Sequence, residues 1–187
     1  YREGEAISAP RSRGELTSRF LQYPGEMDDY AQQCLAQGVE YGGFNLLLGD
    51  RQRLFYCSNR QRQAKKLEAG IYSLSNHLLD TPWPKAVHAR EALREIIAGT
   101  DPDPQQLLSA LQRDEPYGDE LLPDTGVGIE LERLLSPPFI HSEHYGTRCT
   151  TVLIQDREGE TTLLEQSYLP RGRKGELRRF SIPPHGQ

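Results

Sequence analysis

Two strand-rich blocks, at 41–76 and 147–182, flank a helical block at 82–135, and this order constrains the fold more than any single motif. Within each strand-rich block, successive strands are separated by short turns, which is typical of antiparallel meanders. Runs of strands and runs of helices that are separate along the chain indicate an α+β fold. We therefore expect two stacked, mainly antiparallel sheets with helices outside them.

Capping signals predict where the main helices begin. Ser12, followed three residues later by Glu15, forms a capping box and predicts the first helix. Thr81 followed by Pro82 reads as an N-cap and a first helical residue, and predicts the start of the longest helix, over 83–98.

The sequence before this helix contains a candidate binding or catalytic loop. In GIYSLSNHLLDTPWPK (Gly70–Lys85), residues 71–74 have strand character, and Ser75, Asn76 and His77 then lie between this strand and the helix. Rigid elements on both sides hold a loop side chain in place, which suits a functional group. The alternative is a plain turn, because Ser and Asn readily hydrogen-bond to their own backbone.

Composition excludes several classes of protein. The formal net charge is −5 and the pI is near 5.6, so nucleic acid is not the expected partner, because it requires a basic face. No run of about 18 apolar residues occurs, so we predict no transmembrane helix.

Cysteine usage indicates a reducing compartment. Cys34, Cys57 and Cys149 are few, odd in number and unclustered, which favours reduced thiols in the cytoplasm over a disulfide framework. Each lies on the apolar side of a predicted element. We therefore expect all three to be unpaired and largely buried.

Arg148 is a candidate for anion binding, since it stands one residue before an apolar strand. It is either an exposed edge residue in an ion pair or a guanidinium fork that points into a cleft, where it would bind a carboxylate, a phosphate or an oxyanion. The tail 171–179, with five positive side chains and one negative, reads as a solvated run or as a phosphate site.

A metal site is not predicted. His141 and His144 lie three residues apart, a spacing that would bring them together on a helix. Prolines before them and Tyr145-Gly146 after them oppose a helix there, and no second pair of ligands occurs elsewhere in the sequence.

Five phrases in the same order resemble one family. The chain is similar to the Asn-Arg-Asp-Glu (NRDE) family, also called the transport and Golgi organisation protein 2 family. The phrases are SRGELTSRFL (12–21), YGGFNLLLGD (41–50), YCSNR (56–60), GIYSLSNHLLDTPWPK (70–85) and YGTRCTTVLIQD (145–156).

The resemblance implies a fold similar to that of the N-terminal-nucleophile hydrolases, an αββα sandwich of two sheets between helix layers. Neither the family's N-terminal cysteine nor its Asn-Arg-Asp-Glu motif occurs in this sequence. We therefore expect residues 1–187 to form a single domain that lacks its N-terminal strands.

The resemblance also implies site residues. Asn76 matches an asparagine that assists the nucleophile in related hydrolases, and Arg148 matches a late arginine by order and strand context. An amide such as that of Asn76 can donate to a developing oxyanion. We expect Asn76 and Arg148 to open on one pocket. In or beside the matched phrases, Asn45, Asn59, Arg60 and Ser75 are predicted to bind ligand.

For function, the resemblance implies a cytoplasmic protein that handles a small or lipid-like ligand, with haem or an acyl lipid as cargo and no cofactor of its own. The alternative is an N-terminal cysteine amidohydrolase or acyltransferase that acts on an amide bond. Tyr1 cannot serve as its nucleophile. A third class, an interaction scaffold, would expose a large apolar patch.

Overall fold

The computed structural model describes residues 9–99 and 101–184. The chain divides into two compact units, one running to Thr81 and including Thr125–Val127, the other formed by Pro82–Asp124 and the chain from Gly128. Among the described residues, each unit contains one three-stranded antiparallel sheet. The predicted α+β class is thus confirmed. The single domain over 1–187 and the stacking of its sheets stay predictions.

The first unit packs helices on one face of its sheet. The capping box forms in part, since the Ser12 backbone N donates to Glu15 Oε1 at 3.3 Å, while Arg13 takes the N-cap position. The elements are α1 (Gly14–Phe20), α2 (Met27–Ala36), a 3₁₀ turn (Gly38–Glu40), β1 (Asn45–Gly49), β2 (Leu54–Ser58) and β3 (Gln63–Leu67).

The core of the first unit is formed by apolar side chains at alternate positions along its strands. Leu46 and Leu48 of β1 are buried against α2, whereas Leu47 between them is exposed. This period of two is the pattern of a strand with one covered face. In β2 side chains on both faces of the strand are buried, because Tyr56 and Ser58 on one face are completely buried and Phe55 and Cys57 on the other face are buried as well.

Two predictions for the stretch 70–85 are wrong. Residues 71–75 form no strand, and the Ser73 backbone bonds locally, with Ser73 N donating to Asp80 Oδ1 and Asp80 N donating to Ser73 O, each at 2.8 Å. The predicted long helix is present over Pro84–Ile97, but its N-cap is Trp83 and not Thr81. Both Pro82 and Pro84 satisfy the rule for a first helical residue, and the second proline takes that position.

The second unit begins with helices and ends with its sheet. Asp103 caps the second helix of this unit, because its side chain accepts a hydrogen bond from Gln105 N at 2.9 Å. The elements are α3 (Pro84–Ile97), α4 (Pro104–Ser109), a 3₁₀ turn (Asp119–Leu121), α5 (Ile129–Leu134), β4 (Cys149–Gln155), β5 (Thr161–Leu169) and β6 (Arg173–Ile182).

The sheet of the second unit extends one prediction and corrects another. The basic tail is solvated, since nearly all of its residues are exposed, but it also belongs to the sheet, because β6 begins at Arg173, which pairs with Leu169 of β5. Cys149 is exposed rather than buried. On β4 the inward positions are Thr150 and Val152, so the buried face is shifted by one residue from the expected one.

We expect the Cys149 thiol alone to react rapidly with an aromatic disulfide reagent at about pH 8. Burial raises the pKa of the Cys57 thiol to about 12, and it also raises the pKa of Cys34, so both stay protonated and shielded. The Cys149→Ser variant should lose the rapid reaction, and all thiols should react in denaturant. Equally fast reaction of Cys34 or Cys57 in the native protein would contradict the burial of these groups.

In the described part of the chain, no helix combines the length and the apolar composition that crossing a bilayer requires. The same residues contain no group of three or more His, Cys, Asp or Glu side chains that could hold a metal ion.

Candidate functional site

A cavity of about 280 Å³ lies at one end of the sheet of the second unit. It is lined by two segments, the residues that lead into β4 and the residues that connect β5 to β6. The lining residues are His141, Ser142, Glu143, His144, Tyr145, Gly146, Thr147, Arg148, Tyr168, Leu169, Pro170, Arg171 and Gly172.

Glycines hold both segments close to their neighbours. A Cβ at Gly146 would lie 2.8 Å from the carbonyl oxygen of Ile140. At Gly172, where φ is +69°, a Cβ would lie 3.0 Å from the Phe139 ring. Only glycine allows so close an approach without displacing its neighbours, and Gly172 also has the left-handed backbone that glycine favours. These contacts fix the shape of the cavity wall.

Two arginines on the lining have no ion pair among the described residues. Arg148 is exposed, and within the described ranges the hydrogen bond of this residue is to its carbonyl oxygen, which accepts from Tyr168 N at 2.8 Å. Arg171 has φ of +62°, a left-handed conformation that is uncommon outside glycine. Strain of this kind concentrates at functional sites. By contrast, Arg133 of the same unit is paired with Asp119 and Glu130.

A β-bulge stands next to the arginines. Lys174 pairs with Tyr168 and Leu177 with Gln166, so two residues of β6 lie opposite Ser167. The Gln166 amide fills the bulge and donates to the Gly175 carbonyl oxygen at 3.1 Å. Bulges of this kind redirect side chains at the rims of sites.

The remaining lining is partly apolar and fixed. The Tyr168 ring packs edge-on against Phe139 with centroids 4.7 Å apart, and its hydroxyl accepts from Gln112 Nε2 at 3.2 Å. Tyr145 and Leu169 expose 59% and 49% of their surface. Glu143 carries the one carboxylate of the lining. The cavity therefore combines two guanidinium groups with apolar surface.

The histidines of this segment are not arranged as a metal pair. His141 Nε2 lies 3.0 Å from Asp114 Oδ2, and the side chain of His144 is 88% exposed beside Glu143.

Known proteins resemble this chain over most of its described length. The family model described as "Transport and Golgi organisation 2" matches residues 1–170. The chain belongs to the transport and Golgi organisation 2 family. This confirms the resemblance that the five sequence phrases indicated.

Individual relatives support the family assignment. The bovine "Transport and Golgi organization protein 2 homolog" is 32% identical over 177 residues, which cover 85% of this chain and 63% of the relative. The human homologue is 29% identical over 173 residues, and the mouse homologue is 28% identical over 177. The chain thus spans 63% of the length of these curated family members.

The loop expected to contribute the family's asparagine is firmly held in the first unit. Tyr56, which is completely buried, donates from its hydroxyl to Asn45 Oδ1 at 2.8 Å and accepts from Leu79 N at 3.2 Å. Asn45 Nδ2 in turn donates to the His77 carbonyl oxygen at 2.7 Å. Asn76 itself is exposed, with no hydrogen bond from its side chain to the described residues.

The other predicted ligand-binding residues lie in the first unit as well. Asn59 is engaged with the backbone, since Oδ1 accepts from Phe44 N at 2.9 Å and Nδ2 donates to the Gly38 carbonyl oxygen at 2.9 Å. The Arg60 backbone N lies 3.3 Å from Ser58 Oγ, and Ser75 is half-buried. Ligand binding by these residues stays a prediction.

The structure brings Asn45 to the loop of Asn76, whereas Arg148 belongs to the second unit. The pocket shared by Asn76 and Arg148 therefore stays a prediction. Sequence reasoning offered Arg171 only as one member of the basic tail, read as a solvated run or a phosphate site, and did not place it beside Arg148. The Leu-Pro-Arg-Gly sequence after β5 was the available signal, since Pro and Gly mark a tight turn.

Proposed function

We propose that this family member handles a small ligand that is both anionic and partly apolar, with haem or an acyl lipid as the cargo. The observation that carries the proposal is the presence of two arginines, Arg148 and Arg171, on one cavity without ion pairs among the described residues. Guanidinium groups bind carboxylates and phosphates through paired, charge-assisted hydrogen bonds.

The two parts of such a ligand match the two kinds of lining. A haem propionate or the head group of an acyl lipid would engage Arg148 and Arg171. The apolar part would contact Tyr145 and Leu169, which expose much of their surface. Haem is here the cargo that is handled and not a resident cofactor. As part of the same proposal we assign the protein to the cytoplasm, since its cysteines are unpaired.

Arginine replacement tests the proposal. We expect Arg148→Ala and Arg171→Ala each to weaken binding of haemin or of a fatty acid by about 1.5–3 kcal/mol, because each removes a charge-assisted contact. This corresponds to roughly 10–150-fold in Kd, which can be measured by calorimetry or by fluorescence quenching.

Arg94→Ala is the matched control, since Arg94 lies exposed on α3 and pairs with Glu91. It removes the same charge and should leave Kd unchanged. Unchanged affinity in both cavity variants would contradict the proposal. An equal loss in Arg94→Ala would show that net charge, and not the cavity, governs binding.

The alternative function is N-terminal-nucleophile chemistry on an amide bond. It is supported by the exposed amide of Asn76 on a loop held by Tyr56 and Asp80. Because Tyr1 cannot be the nucleophile, the test uses a form of the protein that carries the family's N-terminal cysteine and measures release of free amine from N-acyl substrates. Asn76→Ala should abolish this release while haemin and fatty-acid binding persist. Turnover of this kind, together with unchanged ligand affinity in Arg148→Ala, would favour the alternative.

A further inference from the structure

The last strand forms an open edge of the sheet in the second unit. The strand order is β4-β5-β6, and in the described residues nothing pairs with the outer side of β6. All residues of β6 except Gly175 are exposed. At such an edge, alternate backbone N–H and C=O groups point away from the sheet and are available to another strand.

An exposed apolar row reaches this edge. Leu153, Leu163 and Phe180 are direct neighbours across the three strands, so they lie on one face of the sheet. Leu153 exposes 63% of its surface and Phe180 51%. Ile182, two residues beyond Phe180 and on the same face, exposes 44%. A fourth strand beside β6 would extend the row by one more side chain.

Charge at the edge is positive. Arg178 and Arg179 lie in the straight part of β6, beyond the bulge opposite Ser167. Arg178 pairs with Glu176 at 2.7 Å, whereas Arg179 has no ion pair among the residues that the structure describes. Cations on an edge strand often serve only to prevent aggregation. A purely protective edge is short and polar, but this one has six unbulged residues with exposed Leu177, Phe180 and Ile182.

We propose that the edge formed by Leu177–Ile182 binds an extended acidic segment of a partner protein as a fourth strand. Backbone hydrogen bonds to β6 would supply the general affinity of strand addition. Apolar side chains on one face of the segment would pack beside Phe180 and Ile182. Acidic side chains on its other face would lie beside Arg179. The proposal is independent of the cavity and of its ligand.

A peptide set tests this interface on the 187-residue chain. The probe is an acetylated octapeptide of alternating valine and glutamate with a fluorescent label, and anisotropy measures its binding. We expect binding that protects the outward-pointing backbone amides within Leu177–Ile182 from hydrogen exchange. A lysine-for-glutamate peptide should not bind, and a peptide N-methylated at alternate residues should not bind, because it loses the edge hydrogen bonds.

Two variants locate the contact. Arg179→Glu and Phe180→Ser should each weaken binding of the octapeptide, raising its Kd by about tenfold or more. Arg94→Glu on α3 carries the same charge change as Arg179→Glu and should have no such effect. Absence of octapeptide binding, equal binding of the N-methylated peptide, or association of the chain with itself through Leu177–Ile182 would overturn the proposal.

Discussion

Asn59→Ala is expected to lower the free energy of unfolding by about 2–4 kcal/mol, because it leaves three part-buried backbone groups without partners. The Asn59 side chain accepts from Phe44 N at 2.9 Å and donates to the carbonyl oxygens of Gly38 and Gly42 at 2.9 and 3.2 Å. It thereby joins the end of β2 to the segment that leads into β1. Urea unfolding monitored by circular dichroism measures the change.

Asn76→Ala is the matched control, since it removes the same side chain from an exposed site without hydrogen bonds to the described residues. It should change stability by less than about 0.5 kcal/mol. If Asn59→Ala left stability unchanged and instead weakened haemin or fatty-acid binding, Asn59 would be a ligand-binding residue and its structural role would be wrong.

Gly172→Ala is expected to lower the free energy of unfolding by about 2–4 kcal/mol and to weaken ligand binding in the cavity. Its φ of +69° disfavours any side chain, and the added Cβ would lie 3.0 Å from the Phe139 ring and 3.3 Å from the His141 Cβ. The strain and the overlap act together on the wall that carries Arg171. Urea unfolding and haemin titration measure the two effects.

Gly42→Ala provides the comparison, because a Cβ at Gly42 would have no atom within 4 Å. It should be close to neutral in both measurements. Equal stability of the Gly172 and Gly42 variants would show that the cavity wall yields easily, and that its geometry does not depend on glycine.

Local signals in the sequence predicted the start of a helix where one position satisfied every part of the signal. Asp101-Pro102 and Asp103-Pro104 both offer an N-cap and a first helical residue, but only Asp103 is followed three residues later by a glutamine, and it caps α4. The start of α3 was misplaced because Pro82 and Pro84 both satisfy the same rule. Ile71 and its neighbours have strand propensity, yet they form no strand, and the Ser73 backbone instead bonds to Asp80 within the loop.

Burial and long-range contacts were harder to predict. Side chains alternate between the two faces of a strand, and the buried face of β4 begins at Thr150. A shift of one residue from the expected register therefore leaves Cys149 exposed. Arg148 was identified as a candidate because it precedes an apolar strand. Arg171 lies on the same cavity because it stands in the turn between β5 and β6 with a left-handed backbone. The pattern of charges along the sequence does not predict that backbone conformation.

The most direct test of the central claim, that Arg148 and Arg171 bind the anionic group of the ligand, is nitrogen NMR of the arginine side chains. The chain is titrated with a fatty acid or with diamagnetic zinc protoporphyrin, and Arg148→Lys and Arg171→Lys assign the two Nε–H signals. We predict that both signals shift in proportion to saturation while that of Arg94, which is paired with Glu91, stays in place. Ligand binding that leaves both signals unmoved would contradict the account.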